Sequence, residues 1–445
     1  MLQRPFRFLH AAELDLDNPC QIAAEVPNHL IDLLVDTPLL AATKLFDAAL
    51  HQRVDFVVLS GNVIDPRRAA PHELLFLVQQ FQRLADRNIP VYWSGGSADS
   101  LPQWPPYVVW PSNVHQFPSG HVQRYRHEIA GAVVCEIIGW GHGASQLPRP
   151  YDFAPTSADI FSVALAHANW NAGALGEIGI DYWALGGPHN RSTPLELNCI
   201  AHFAGSPQGR CLTETGPHGC TIVDVDEHSH AHLTPIACDV LRWLSPQLSL
   251  PATADRGDLE RLLLERTEQF SAESPGVALL VTWQIACQGA LRFALKHESL
   301  GAELISKLRQ NFGHRQIPIW TLAIDAALSD QLPASWYAEE TLRGDFLRAV
   351  QQCSPGFSFG QERNAVADRH GTIVNDRELS GEQQLVLTFP ENLTELLSAD
   401  NQLTISADLL AQIGPAMDSP DARHRLLQEI TSLGADLLSP TEAQR

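Results

Sequence analysis

The chain opens on a strand-like apolar run, FRFLHAA (6–12), that ends in acids at alternate positions, Glu13, Asp15 and Asp17. A buried strand delivers charged groups to a site at its C-terminal edge in this way. TPLLAATKLFDAAL (37–50) then spaces apolar side chains at helical intervals, and VDFVVLSG (54–61) is a second short strand leading to Asn62 and Asp65. A helix over 72–87 and a third strand, VYWSGGSADS (91–100), follow. Strand, helix and strand predict crossover units of an α/β fold, whose strand ends collect ligands.

From about residue 114 the pattern favours strands: 133–143, 160–170 and 181–191, the last two carrying His167 and His189 near their ends, then 197–210, 219–227 and 232–240. Trp140 and His142 in GWGHG fall near the same edge, between glycines that predict a turn. SLPATADRG (249–257) reads as a linker. Beyond it, helix 258–270, strand 277–287, helix 300–312 and strand 317–325 predict a small α/β unit. Residues 355–384 are polar and glycine-containing, and 392–440 are helical in pattern, with Ser419 and Pro420 opening the last helix. The expected domains are 1–248, 258–350 and a helical 385–445.

Composition narrows the function classes. With 445 residues, 44% apolar and 18% charged, the chain can bury more than one core. Its net charge of −21 opposes unaided binding to a polyanion, so nucleic-acid contact would need a local basic patch or a partner. The eight cysteines are scattered without a C-x-x-C pair, which reads as buried free thiols in a reducing compartment rather than structural zinc. No signal-like or membrane-length apolar stretch is present, so the sequence predicts a cytoplasmic protein without membrane contact.

The strand ends gather Glu13, Asp15, Asn62, Ser97, Asp99, His167 and His189. Carboxylates, amides and imidazoles converging from separate strands suit a divalent-metal site. FLHAAELDLDNP, DFVVLSGNVID, VYWSGGSADS, ALAHANW and DYWALGGPHNR resemble, in order and spacing, the five motifs of the calcineurin-like metallophosphoesterases of the SbcD type, which are DNA repair exonucleases. The resemblance covers about residues 5–245, and GSPQGRCLTETGPHGCTIVDVD (205–226) is similar to the stretch closing that nuclease domain. It implies a four-layer α/β/β/α sandwich, a cap domain, a helical tail docking on an SMC-like, SbcC-type ATPase, and a two-metal centre.

Against the family's motifs the frame holds and the chemistry departs. Glu13 and Asp15 stand where the family has D-x-H; Asn62 replaces the aspartate bridging both metals, while Gly61 and Asp65 remain. The third motif becomes Gly96, Ser97, Ala98 and Asp99, so the ligand asparagine and the general-acid histidine are gone. His167 matches the fourth motif; in the fifth, Gly187 replaces the first histidine and His189 matches the second. Glu13, Asp15, Asn62 and His189 would offer one ion a weak site, with manganese the expected metal, and Asn62, Ser97 and His167 would leave the second ion without a carboxylate.

Three function classes follow. The leading expectation is a catalytically impaired SbcD-like subunit with a structural or regulatory role beside the ATPase. The second is a single-metal phosphoesterase or nuclease, and the third a scaffold that never meets DNA. The cluster Arg292, Lys296, Lys307, Arg309 and Arg315 offers a phosphate-facing patch through which the cap would touch DNA; solvated helix charge is the plainer alternative. A homodimer is compatible with the sequence.

Overall fold

In the computed structural model, residues 4–352 are described apart from 21–25, 101–103, 144–147, 169, 197–198, 252, 288, 298 and 328–333, together with the pairs 386–387 and 403–404. The expected helical tail at 385–445 lies outside the described residues except for those two pairs. In chain order the first part reads β1 (Phe6–Ala11), α1 (Asn28–His51), β2 (Phe56–Ser60), α2 (Pro71–Ala85), β3 (Val91–Ser94), β4 (Val114–Gln116), β5 (Gln123–Ile129) and β6 (Ala132–Gly139). It continues with β7 (Phe161–His167), β8 (Tyr182–Gly186), β9 (Ser192–Glu196), β10 (Ile200–Phe203), β11 (Gly219–Val225) and β12 (Ala231–Ala237).

These strands form two six-stranded sheets, ordered β12-β11-β1-β2-β3-β4 and β5-β6-β7-β8-β10-β9. β1 to β4 run parallel, as do β6, β7, β8 and β10; β11 runs antiparallel between β1 and β12 in the first sheet, and β5 and β9 are the antiparallel edges of the second. The sheets share one apolar layer: Phe8, Phe56 and Val223 from the first meet Ile137, Val163 and Tyr182 from the second. Phe8 stacks on Phe56 at 4.9 Å and takes the edge of Tyr182 at 5.3 Å. On the far side of the first sheet, α1 contributes Leu45 and Phe46 and α2 contributes Leu74, Leu77 and Phe81 to a second core. On the far side of the second sheet, Trp140, Phe153 and Trp183 are covered by short elements, a 3₁₀ turn at Pro150–Phe153 and one helical turn at Ala172–Leu175. The expected α/β/β/α sandwich is therefore present, with a thin fourth layer.

Helix α1 begins well before residue 37 and runs through Pro38. A proline removes the N–H that would bond the carbonyl four residues back. The Thr37 hydroxyl donates to that carbonyl, Leu34 O, at 2.8 Å and fills the gap. Leu30 and Leu34, in the extra turns, pack on Leu241, Trp243, Ala278, Leu280 and Trp320.

The later elements are β13 (Leu241–Leu244), β14 (Gln247–Ser249), α3 (Arg256–Glu273), β15 (Ala278–Ala286), α4 (Gly289–His297), α5 (Leu300–Phe312) and β16 (Ile319–Ala327). The chain divides into two compact units, Met1–Pro246 with Thr267–Thr282 and Leu308–Leu322, and Gln247–Arg266 with Trp283–Lys307 and Ala323–Arg445. Within the first, β13 lies parallel to the start of β15; within the second, β14 lies parallel to its end. Among the described residues no helix is long and apolar enough to cross a membrane.

Candidate functional site at the strand ends

The ends of β1, β2, β3, β7 and β8 converge. Past β1 the chain keeps bonding to the segment after β2: Glu13 N–H donates to Gly61 O at 3.0 Å, Asp15 N–H to Asn62 O at 2.9 Å and Leu16 N–H to Val63 O at 3.1 Å. Glu13, Asp15 and Asn62 all hold the left-handed backbone conformation, with φ of 52°, 40° and 51°. Non-glycine residues adopt it at a cost and gather where a fold over-determines them. Gly61 (φ 92°) is required twice over, since a Cβ there would lie 2.8 Å from His167 Cβ and 2.9 Å from Gly96 Cα.

Glu13 is the hub. Its side chain is 1% exposed, and both carboxylate oxygens face protein donors. Oε1 accepts from the Gly187 N–H at 2.7 Å and lies 3.0 Å from His167 Nε2; Oε2 accepts from Asn62 Nδ2 at 2.9 Å and lies 3.7 Å from His189 Nε2. The His167 nitrogen is buried without an aligned hydrogen-bond partner, so Glu13 holds it electrostatically. Burial pulls the His167 pKa down, but the Glu13 carboxylate together with Asp99 and Asp15 outweighs that and the net shift is upward.

Asn62 is fixed at every polar atom. Its Oδ1 accepts from the Ala98 N–H at 3.1 Å and from Ser97 Oγ at 3.3 Å. A backbone N–H can only donate, so this contact decides which way the amide faces and turns Nδ2 toward Glu13. Behind it, buried Asp99 accepts from Asn62 N–H at 3.1 Å, Val63 N–H at 2.9 Å, Trp93 Nε1 at 2.8 Å and the Gly96 N–H. Asp99 thus ties the loop 96–99 together, while Ser97 and Ala98 turn a hydroxyl and a backbone N–H to Asn62.

On the other flank, Arg210, 8% exposed, pairs with Asp15 Oδ2 at 2.7 Å and donates to Glu13 O at 3.1 Å. Glu214 accepts from the Arg210 N–H at 2.9 Å and pairs with His189 Nδ1 at 2.7 Å. That hydrogen bond raises the His189 pKa; burial pushes Glu214 up, yet the same bond and the Arg210 N–H bring it down to about 2. Burial pushes Asp15 up, and Arg210 pulls back against it. Arg210 and Glu214 were not singled out from the sequence, although both fall in GSPQGRCLTETG.

The residues do not fit a two-ion centre. Asn62 presents an amide N–H to Glu13 rather than an oxygen, and Gly187 presents its backbone N–H to the same carboxylate. One ion is a different matter: single ligand atoms of Glu13, Asp15 and His189 lie within 4.8 Å of one another. Glu214, by holding Nδ1, leaves His189 Nε2 to face Glu13, as an outer carboxylate does for a ligating imidazole. Against this, Arg210 already occupies Asp15.

The remaining candidates are spent locally. Asp65 is bound by Arg67 Nε at 3.0 Å; His142 donates its backbone N–H to Gly95 O at 3.0 Å, and its ring meets Trp140 edge-on at 5.6 Å. The basic cluster is not a gathered patch. Arg292 is 2% exposed, Lys307 pairs with Glu260, Arg309 donates to Thr321 O at 2.8 Å and stacks over Trp320 at 4.5 Å, and Arg315 pairs with Glu268 at 3.0 Å. Lys296 alone of the five is exposed with no ion pair among the described residues. The cluster also divides between the two units. The cysteines agree with the expectation of free thiols at all seven described positions, six of them buried.

No protein-family model matches the chain. A Bacillus subtilis (strain 168) protein described as the uncharacterized metallophosphoesterase YhaO is 24% identical over 335 residues, covering 72% of this chain and 81% of that one. Among solved structures, a dimetal phosphatase from Danio rerio aligns over 49% of this chain and 92% of its own, with 10% identity and a TM-score of 0.29. Vacuolar protein sorting 29 from Cryptosporidium parvum aligns over 52% and 98%, with 15% identity and a TM-score of 0.24. Those two superpositions decide nothing about the site. Over most of both lengths, then, this chain is similar to a metallophosphoesterase, and its paired-sheet architecture agrees with that likeness.

Proposed function

We propose that this chain is a metallophosphoesterase-type protein that has lost two-ion hydrolysis and serves as a structural or regulatory subunit in DNA repair or processing, beside an SMC-like ATPase. One observation carries the loss: the Glu13 carboxylate is ringed by the Gly187 N–H, the Asn62 amide and two imidazoles at the place where bare oxygens would have to face cations. The absence of an acid at Ala98 removes proton delivery to a leaving group, a term of about 10²- to 10⁴-fold. The role in DNA metabolism rests on the motif resemblance. The purified full chain, supplied with manganese, is expected to leave single- and double-stranded DNA and a nitrophenyl phosphodiester intact. Robust cleavage that disappears in Asn62→Ala would overturn this.

A second reading is supported by the convergence of Glu13, Asp15 and His189. These residues would hold one divalent ion, which supplies Lewis acidity and an activated water when bound. Arg210 would then orient Asp15, and Glu214 would fix the His189 tautomer. Slow hydrolysis that tracks occupancy by a single ion, and is lost in His189→Ala, would favour it over the first.

A further inference from the structure

The hairpin joining β11 to β12 carries the run DVDEHSHAH (224–232), which places His228, His230 and His232 at alternate positions. The two strands pair antiparallel up to Val225 and Ala231, so the turn is made by 226–230. It is closed by the Asp226 N–H donating to His230 O at 3.0 Å and the Ser229 N–H donating to Asp226 O at 3.1 Å. The Asp226 side chain tightens the same turn: its Oδ1 accepts from the backbone N–H groups of His228 and His230, both at 2.8 Å. One carboxylate oxygen is thereby spent on the backbone, and Oδ2 is left for side chains.

Asp226 Oδ2 lies 3.4 Å from His230 Nδ1 and 3.6 Å from His232 Nε2. Both separations exceed the roughly 2.7–3.2 Å of an ordinary hydrogen bond. They match instead the edge of a coordination tetrahedron, because ligands held at about 2.1 Å on a zinc-like ion stand roughly 3.4 Å from one another. Among the described residues no arginine or lysine pairs with Asp226, whereas its neighbour Asp224 is taken by Arg7 at 2.5 Å and Asp15 of the strand-end site by Arg210. His230 and His232 are exposed, so an ion has open access and packing does not block the ring rotations that would close around it. Phe6, at the start of β1, is paired with Val225, while Glu13 follows the other end of that strand. At about 3.3 Å per residue the hairpin stands roughly 20 Å from Glu13, too far to share an ion with it.

We propose that this hairpin binds one zinc-class divalent ion through Asp226 Oδ2, His230 Nδ1 and His232 Nε2, with water at the fourth position. Two imidazoles with one carboxylate favour zinc, nickel or copper over manganese. The backbone bonds to Oδ1 set the carboxylate in place before the ion arrives, so little side-chain order remains to be gained on binding. His228 stands outside the set, its Nε2 lying 3.7 Å from Glu227 Oε1. The site uses no residue of the strand-end centre and does not rest on the function proposed above.

The test is calorimetric titration of zinc chloride into the full chain, made without a polyhistidine tag and stripped by a chelator. The chain carries His189→Ala, so that the strand-end centre lacks its imidazole and cannot supply the signal. Saturable binding of one ion per chain is expected. Asp226→Asn keeps an oxygen for the two N–H groups of the turn but presents an amide NH₂ to the imidazoles. It should weaken binding at least about ten-fold, since even partners outside the coordination sphere are worth about that much. His230→Gln and His232→Gln should do the same, and as exposed surface changes they should leave the fold intact, which circular dichroism checks. Cobalt(II) is the second probe: its visible absorption, strong in tetrahedral coordination, should appear with the hairpin intact and be lost in all three variants. No saturable zinc binding in the His189→Ala chain, including the case where only wild type binds, overturns the proposal. So does binding unchanged across the three hairpin variants.

Discussion

Glu13 and Asn62 explain each other. A glutamate is one methylene longer than the aspartate of the resembled motif, and here it reaches both the Gly187 N–H and the Asn62 amide. With Asn62 the carboxylate has a donor; with an aspartate it would face a like charge. Asn62→Asp should therefore lower the stability of the metal-free protein by about 1–3 kcal/mol, the cost of losing a hydrogen bond to a charged group and gaining a repulsive neighbour. Urea unfolding measures it, and manganese should restore part of the loss in the variant alone. Unchanged stability in Asn62→Asp would mean the amide does not hold Glu13.

At the scale of elements, the site depends on close approach between the turn after β2 and the end of β7. Gly61→Ala should destabilise by about 2–4 kcal/mol, because it combines a left-handed backbone with a Cβ pressed on His167 and Gly96; a circular-dichroism melt would read it. The strands that form this centre were legible because β1, β2, β3, β7 and β8 are short apolar runs buried on both faces. Edge strands β4, β5 and β9 were not, since their half-exposed residues carry no such run. The early start of α1 was hidden by Pro38, whose lost bond is replaced by Thr37, a substitution that periodicity does not register. The basic cluster misled for the opposite reason: Glu260 and Glu268, each 47 residues from the cation it pairs with, neutralise Lys307 and Arg315 only in three dimensions. Arg210 and Glu214 likewise lie far in sequence from the acids and imidazoles they serve.

Across the whole molecule, the layer between the sheets contains polar groups that set its response to pH. His202, 2% exposed, bonds Thr193 Oγ1 at 2.8 Å and Thr221 Oγ1 at 2.9 Å, and burial with the Arg191 charge pulls its pKa down to about 4. Its folded pKa lies below the unfolded value of 6.5, so the contribution is present above 6.5 and is lost as the pH falls through about 4. His202→Gln should remove on the order of 3 kcal/mol of pH dependence across that window, and an acid limb identical to wild type would refute the assignment. The same scale holds the main question, whether this paired-sheet frame still carries the ions its strand ends suggest. The most direct answer is metal content: the full chain equilibrated with excess manganese, desalted, and analysed for bound ion per chain. An internally satisfied Glu13 predicts a stoichiometry well below one. Two tightly held ions per chain would contradict it.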